Sequence, residues 1–111
     1  MNVYRLHRAA RAPNDYTGAM LAGGRWNPIG VAMLYTARHL SLACLEVLVH
    51  LDKGQFPRDY VWSRTELGAP RFLKIQQAND VVLCQAAGLS WLRATSQLAV
   101  QVPSALIPEE F

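Results

Sequence analysis

The spacing of hydrophobic and polar positions predicts four short strands along the chain. Residues 2–6 alternate in character and predict a first strand. Residues 31–36 contain Met, Leu and Tyr at their centre and predict a second. Residues 60–67 are rich in strand formers and alternate in part, and residues 98–103 predict a last, short strand.

Two segments have the composition of helices. Residues 40–51 carry the clearest helical spacing, and residues 81–95 are compatible with a helix although Gly88 interrupts them. Ser41 is the usual capping residue nearest to the first helix, and Lys53-Gly54 would end it. Its predicted apolar stripe consists of Leu42, Leu45, Val49 and, at its margin, Leu48.

The segment between the first two predicted strands is predicted to be a long loop. Residues 12–30 hold two prolines, four glycines and two asparagines, a composition typical of turns. Long loops in compact domains tend to be functional. The resulting order, strand-loop-strand-helix-strand-helix-strand, predicts an α+β or mixed fold in place of a regular βαβ repeat.

Length and composition narrow the class of protein. A chain of 111 residues predicts one domain, 1–111, and its hydrophobic content of 51% argues against a disordered chain. No apolar run is long enough to cross a bilayer, and the first 11 residues lack the apolar core of a secretory signal. We therefore expect a cytoplasmic protein without a membrane partner.

Charge and metal-binding residue types give weaker indications. The net charge is +3 and the arginines are spread along the chain, which argues against direct nucleic-acid binding. A few arginines could instead converge on a small anion such as a pyrophosphate. Cys44 and Cys84 form no CxxC motif and are expected to be buried, and the three histidines lack the spacing of a zinc site.

Two charged side chains stand out within this pattern. Glu46 lies in the middle of the apolar window 42–49, one helical turn from Leu42 and His50. Most charged residues of amphipathic helices face solvent, which favours an exposed Glu46, yet its apolar window also fits a partly buried functional acid. Arg25 follows two glycines that allow close approach to a ligand, and it fits equally well as a surface arginine beside a structural tryptophan.

Tyr35 and Ser104 are weaker candidates when each is taken alone. A tyrosine in a predicted strand more often packs against its neighbours, and a serine after Pro103 more often belongs to a turn or a cap. The chain has no GxSxG motif, so a serine hydrolase is not supported. No GxGxxG motif follows a strand, which argues against a Rossmann site.

Taken in order, these motifs resemble the RES domain, a family named for its arginine, glutamate and serine. The resemblance covers most of the chain and is specific from Gly23 to His50 and from Leu98 to Glu110. The residues that carry it are Tyr4-Arg5, Gly23-Gly24-Arg25-Trp26-Asn27-Pro28-Ile29-Gly30, Tyr35-Thr36-Ala37, Leu42-Ala43-Cys44-Leu45-Glu46-Val47-Leu48-Val49-His50 and Val102-Pro103-Ser104-Ala105.

The resemblance implies a fold similar to ADP-ribosyltransferase toxins, a small mixed sheet with flanking helices and a cleft for NAD+. It implies a bacterial toxin that degrades NAD+ by cleaving the nicotinamide–ribose bond, with water or phosphate as the acceptor. NAD+ is then the substrate, and neither a separate cofactor nor a metal is implied. The implied partner is an Xre-type helix-turn-helix antitoxin that blocks the cleft.

Residue by residue, the resemblance implies catalytic roles for Glu46, Arg25 and Ser104. Glu46 would stabilise an oxocarbenium-like transition state, and Ser104 would orient the ribose or the glutamate. Arg5 and Tyr35 match positions that line the cleft. Arg5 and Arg25 would hold the pyrophosphate, and Tyr35 would stack against nicotinamide or ribose.

The end of the chain departs from the family pattern. Family members usually continue past the Pro-Ser-Ala segment with a further strand, so Phe111 predicts a short domain without that edge strand, either truncated or degenerate. Two alternatives to the NAD+-degrading toxin stay open: a protein ADP-ribosyltransferase on the same scaffold, and a non-catalytic remnant that only binds its antitoxin. Apolar residues near the end also suggest a homo-oligomer: Leu106, Ile107 and Phe111.

Overall fold

The computed structural model describes residues 1–49, 51, 58–68, 72–74, 80–94 and 99–104. The predicted α+β class is confirmed, because helices and strands alternate irregularly along the chain. The order is β1 (Asn2–Arg8), α1 (Thr17–Ala22), α2 (Leu40–Leu48), β2 (Tyr60–Glu66), β3 (Phe72–Lys74), α3 (Val81–Ala94) and β4 (Ala99–Gln101).

Contacts divide the chain into two compact units, each built from two stretches of sequence. The first unit comprises Met1–Asn14 and Tyr35–Ala69, and the second comprises Asp15–Leu34 and Pro70–Phe111. The first therefore contains β1, α2 and β2, and the second contains the remaining elements. That residues 1–111 form one domain stays a prediction.

In the first unit, β1 and β2 form an antiparallel ladder that runs from Asn2 opposite Glu66 to Arg8 opposite Tyr60. Side chains alternate between the two faces of such a ladder. Tyr4 lies on one face with Trp62, and their ring centroids are 6.3 Å apart. At the end of the ladder, Asp59 accepts a hydrogen bond of 2.8 Å from Arg8 and raises the pKa of that exposed guanidinium.

Helix α2 covers the Tyr4 face of this ladder. Leu42 and Ala43 of the helix form a buried cluster with Ala37, and Tyr4 and Leu6 of β1 pack against that cluster. The backbones of Tyr4 and Ala37 exchange two hydrogen bonds, of 2.7 and 2.8 Å. Burial of these apolar groups is what attaches the helix to the sheet.

In the second unit, α3 presents a stripe of buried residues at helical spacing, namely Cys84, Gly88 and Trp91. Asp80 precedes the helix, and its side chain accepts a hydrogen bond of 2.7 Å from the backbone N–H of Val82, which satisfies one free donor of the first turn. Strands β3 and β4 pair in parallel, from Phe72 opposite Ala99 to Lys74 opposite Gln101.

Three of the predicted strands and both predicted helices are confirmed, with shifted ends. The strand predicted at 31–36 is wrong, because these residues have no regular structure and most are exposed; only the following Ala37 bridges to β1. The predicted loop 12–30 contains α1, a helix of only 6 residues. Helix α2 ends at Leu48, and the capping position before it is held by His39 and not by Ser41.

Some predictions fall on residues that the structure does not describe. These are the helix end at Lys53-Gly54 and the apolar residues near the C-terminus. Neither cysteine forms a disulfide; Cys84 is fully buried, as expected, whereas Cys44 is only half-buried. Within the described parts, no helix is long and apolar enough to span a bilayer.

Candidate functional site

The five residues predicted to act on the substrate are distributed over the two units. Arg5, Tyr35 and Glu46 lie in the first unit, and Arg25 and Ser104 lie in the second. Each of these side chains is positioned by packing and hydrogen bonds within its own unit, as described below.

Glu46 lies on the packed face of α2. It follows Leu42 by four residues and Ala43 by three, and both are buried, with exposures of 5% and 7%. At about 100° per residue, Glu46 lies about 40° from Leu42 around the helix. Glu46 itself is half-buried, whereas Leu45 and Leu48 are 39% and 50% exposed.

This orientation makes Glu46 a partly buried acid and not one on an open solvent face, while its functional role stays a prediction. The predicted apolar stripe is wrong except for Leu42, because the helix turns Leu45, Leu48 and Val49 toward solvent. A carboxylate that shares a face with buried aliphatic side chains is partly shielded from water. Its interaction with a positive charge is consequently stronger than on an open surface.

Arg5 projects from the opposite face of β1. It alternates with Tyr4 and Leu6, which pack toward α2, so the packing of α2 on β1 does not itself bring Arg5 and Glu46 together. The Nη1 atom of Arg5 donates a hydrogen bond of 2.7 Å to the carbonyl oxygen of Pro13. The guanidinium is thus tethered to the loop that leaves β1.

Tyr35 lies beside β1 without belonging to a strand. It precedes by two residues the bridge between Ala37 and Tyr4, which places its segment alongside the strand that carries Arg5. The Tyr35 side chain is 36% exposed. Tyr35 is therefore not part of a strand, and part of the residue is accessible to solvent.

Arg25 lies in a tight turn of the second unit. The backbone N–H of Gly24 donates to the carbonyl of Asn27 at 3.0 Å, which closes a two-residue connection made of Arg25 and Trp26. Trp26 is buried and Arg25 is half-buried. The indole anchors the turn, and the adjacent arginine keeps partial access to solvent.

Asn27 fixes this turn from its inner side. The residue is fully buried, and its Nδ2 donates hydrogen bonds of 2.9 Å to the carbonyl oxygens of both Ala19 and Val31. Ala19 belongs to α1, so one side chain joins the helix before the turn to the segment after it. A buried amide satisfied in this way positions the backbone strongly, since any movement would leave its donors unpaired.

Helix α3 holds the same turn from a second direction. The Nε2 atom of Gln85 donates to the carbonyl oxygen of Gly24 at 2.9 Å. Near Gly88 the backbones approach so closely that a Cβ atom there would lie 1.8 Å from the carbonyl oxygen of Trp26. Gly88, which interrupted the sequence pattern, is therefore the residue that permits α3 to meet the Arg25 turn.

Ser104 follows β4 by three residues and is buried, with 8% exposure. It is the last described residue of the chain. A surface groove of about 390 Å³ runs along α3 and contains none of the five predicted residues. Its lining consists of Ala86, Leu89, Ser90, Arg93 and Ala94.

The structure also shows a polar pair that sequence reasoning missed. His7 of β1 is buried, and its Nε2 lies 2.6 Å from the hydroxyl oxygen of Ser63 on β2, although the two residues are 56 positions apart. Only the register of the ladder could have predicted this contact. In the described parts of the chain, no cluster of His, Cys, Asp and Glu has the arrangement of a metal site.

Comparison with known proteins identifies relatives along nearly the whole chain. A family model described as the RES domain matches residues 2–111. A protein of Sphingobium sp. (strain YBL2) named "Prs ADP-ribosylating toxin" is 35% identical over 84% of this chain and 65% of its own length. The chain therefore spans just under two thirds of that relative.

Two further relatives carry the name "Toxin Res". The protein from Yersinia enterocolitica is 30% identical and the alignment covers 99% of this chain and 80% of the relative. The protein from Photorhabdus laumondii is 32% identical, with 99% of this chain and 78% of the relative covered.

Proposed function

This chain belongs to the RES domain family, and on that premise we propose that it is the toxin of a bacterial toxin–antitoxin pair and consumes NAD+. The reaction breaks the bond between nicotinamide and ribose on a scaffold similar to ADP-ribosyltransferase toxins. The partner that restrains it is an Xre-type helix-turn-helix antitoxin. The names of the relatives from Yersinia and Photorhabdus support the toxin part of this proposal.

The observation that carries the proposal is the position of Glu46. Departure of nicotinamide leaves positive charge on the ribose, and a carboxylate beside it stabilises that charge. Because Glu46 shares the packed face of α2 with Leu42 and Ala43, it is held in place and partly shielded from water. An exposed glutamate on a mobile surface would provide much less of this stabilisation.

The arginines supply the second part of the proposal. Arg25 lies on a turn that Asn27, Gln85 and Gly88 hold in place, so a guanidinium there binds a pyrophosphate without a large cost of ordering. Arg5 is already bonded to Pro13. Binding of a phosphate by Arg5 would compete with that bond or share the guanidinium with it.

Tyr35 and Ser104 complete the proposed set. The partly exposed ring of Tyr35 would stack against nicotinamide or ribose. Ser104 would orient the ribose through its hydroxyl group, which can both donate and accept a hydrogen bond.

A second function, transfer of ADP-ribose to a protein, is favoured by one observation. The Sphingobium relative is named an ADP-ribosylating toxin. Both functions begin with the same loss of nicotinamide and differ only in the group that receives the ribose. Water or phosphate would receive it in the first case and a protein side chain in the second.

The test is to incubate the purified chain with NAD+, with and without phosphate, and to measure released nicotinamide by chromatography. Loss of one positioned charge typically lowers a rate by about 100-fold or more, so we expect at least that loss for Glu46→Gln. Glu66→Gln is the matched control, since Glu66 is exposed on β2. It should release nicotinamide at the wild-type rate.

The outcomes separate the remaining possibilities. A requirement for phosphate identifies phosphorolysis, and release without it identifies hydrolysis. Radiolabel from NAD+ that appears on an added bacterial protein identifies ADP-ribosylation. Failure of the folded wild-type chain to release nicotinamide, or equal release by Glu46→Gln, would contradict the proposed enzyme and leave the non-catalytic remnant.

A further inference from the structure

A serine and a histidine meet on the antiparallel ladder, in a geometry that the proposed reaction does not use. Ser63 of β2 is the cross-strand partner of Arg5, and its Oγ lies 2.6 Å from Nε2 of His7. His7 is buried, with 7% exposure, whereas Ser63 is half-buried. The serine is therefore more accessible to a reagent than the ring that it contacts.

The other nitrogen of the ring determines the direction of this hydrogen bond. Nδ1 of His7 lies 3.0 Å from the carbonyl oxygen of Arg8. Because a carbonyl oxygen can only accept, Nδ1 carries the hydrogen. In the neutral ring Nε2 is then free to accept, and the hydroxyl of Ser63 donates to it.

This arrangement contains the three parts of an activated hydroxyl. In such an arrangement Ser63 would be the nucleophile, His7 the base within hydrogen-bond reach, and the Arg8 carbonyl the group that orients the base. Serine is a poor nucleophile until such a base removes its proton. The Nδ1 contact holds the ring so that Nε2 points at the hydroxyl.

A guanidinium-bearing residue, Arg5, lies on the same face of the ladder. Alternation places Arg5, His7 and Ser63 on one side of the two strands. A guanidinium beside a nucleophile attracts substrates that carry phosphate groups close to the reacting atom. NAD+ carries a diphosphate on the same ribose whose C1′ bears nicotinamide, so it combines the anion with the electrophilic carbon.

We propose that Ser63 is a nucleophile activated by His7 and that it accepts ADP-ribose, which makes this chain a target of its own reaction. The inference rests on the proposed function, because cleavage of NAD+ supplies the ADP-ribosyl group. The proton of the Ser63 hydroxyl passes to Nε2 of His7 while Oγ bonds to C1′ of the ribose. The bond from C1′ to nicotinamide breaks, nicotinamide leaves with the electron pair, and His7 later returns its proton to water.

The experiment uses the intact chain and needs no variant for its first readout. Wild-type protein is incubated with NAD+, released nicotinamide is measured, and peptides are mapped by mass spectrometry for ADP-ribose. We expect the modification on the peptide that contains Ser63, and at that side chain. Ser63→Ala should lose it, and Thr65→Ala, which removes an exposed hydroxyl on the same face, should keep it.

A second reagent tests the nucleophile independently of NAD+. A fluorophosphonate reacts with activated serines, which displace fluoride from phosphorus. We expect label on Ser63, and we expect about 100-fold slower labelling of His7→Gln, the usual size of a lost general base. Circular dichroism of each variant checks that the strands are retained.

The outcomes distinguish this inference from the function on which it rests. Nicotinamide release without ADP-ribose on Ser63 would overturn self-modification and leave the proposed function intact. Absence of nicotinamide release would overturn the proposed function and self-modification together. In that case fluorophosphonate labelling of Ser63 that depends on His7 would still uphold the activated serine, and no labelling would overturn it.

Discussion

Replacement of Gly88 by alanine tests whether the Arg25 turn depends on the close approach of α3. The new Cβ atom would lie 1.8 Å from the carbonyl oxygen of Trp26 and 2.8 Å from its carbonyl carbon. Real Cβ contacts essentially never fall below 3.0 Å. The difference from 1.8 Å means that helix and turn must separate by about 1.2 Å, and a backbone carbonyl cannot rotate out of the way as a side chain can.

Two opposing effects set the change in the free energy of unfolding. Alanine favours a helix over glycine by about 1 kcal/mol. Overpacking a buried contact costs about 1–3 kcal/mol, and the upper end applies where the neighbour is fixed. Trp26 is buried and its turn is held by Asn27 and Gln85, so we expect a net loss of about 2 kcal/mol. That corresponds to a fall of about 8 °C in Tm for a domain of this size.

The assay is urea unfolding followed by tryptophan fluorescence, with thermal melting by circular dichroism. Gly18→Ala is the matched control, because Gly18 lies in α1 and no atom lies within 4 Å of its added Cβ. The control should leave stability unchanged or raise it by up to about 1 kcal/mol. If Gly88→Ala were as stable as Gly18→Ala, the close approach of α3 to Trp26 would be refuted.

Two further substitutions test the hydrogen bonds and the packing that position the candidate residues. Asn27→Asp replaces two buried donors by a carboxylate facing the carbonyls of Ala19 and Val31, so it should lower the free energy of unfolding by about 3 kcal/mol or more. Asn14→Asp, at an exposed position, should change little. Leu42→Ala should cost about 2–5 kcal/mol through loss of buried contacts, whereas Leu48→Ala should cost less than about 1 kcal/mol. Urea titration checks both pairs, and equal losses for Leu42 and Leu48 would contradict the orientation of α2.

The sequence pattern predicted those elements whose residues repeat at a regular spacing. Strands β1 and β2 and helices α2 and α3 all arise from stretches rich in strand or helix formers, and their positions were predicted to within a few residues. Helix α1 was missed because it has only 6 residues and contains Gly18. Its one clear signal is Asp15, whose side chain accepts a hydrogen bond from the N–H of Thr17 at the helix start.

The false strand at 31–36 shows what residue preferences leave out. A strand requires a neighbour whose backbone groups pair with its own, and here that pairing begins only at Ala37. The burial of Asn27 in the candidate site could not be predicted from the sequence either. Nothing in its local sequence distinguishes a turn asparagine from one that is fully buried and joins α1 to the segment beyond the turn.

The orientation of α2 explains why the sequence identified Glu46 as a candidate but did not predict whether it lies on the packed or the exposed face of the helix. Residues 40–48 are apolar around most of the helix, so the pattern offers two faces that could be buried. The choice is made by small Ala43 and by Leu42, which fit against Tyr4 and Leu6 of β1. The larger leucines at 45 and 48 remain outside, and Glu46 follows the packed face. The half-burial of Glu46 is therefore a consequence of how the helix packs on β1, which the pattern within α2 alone did not determine.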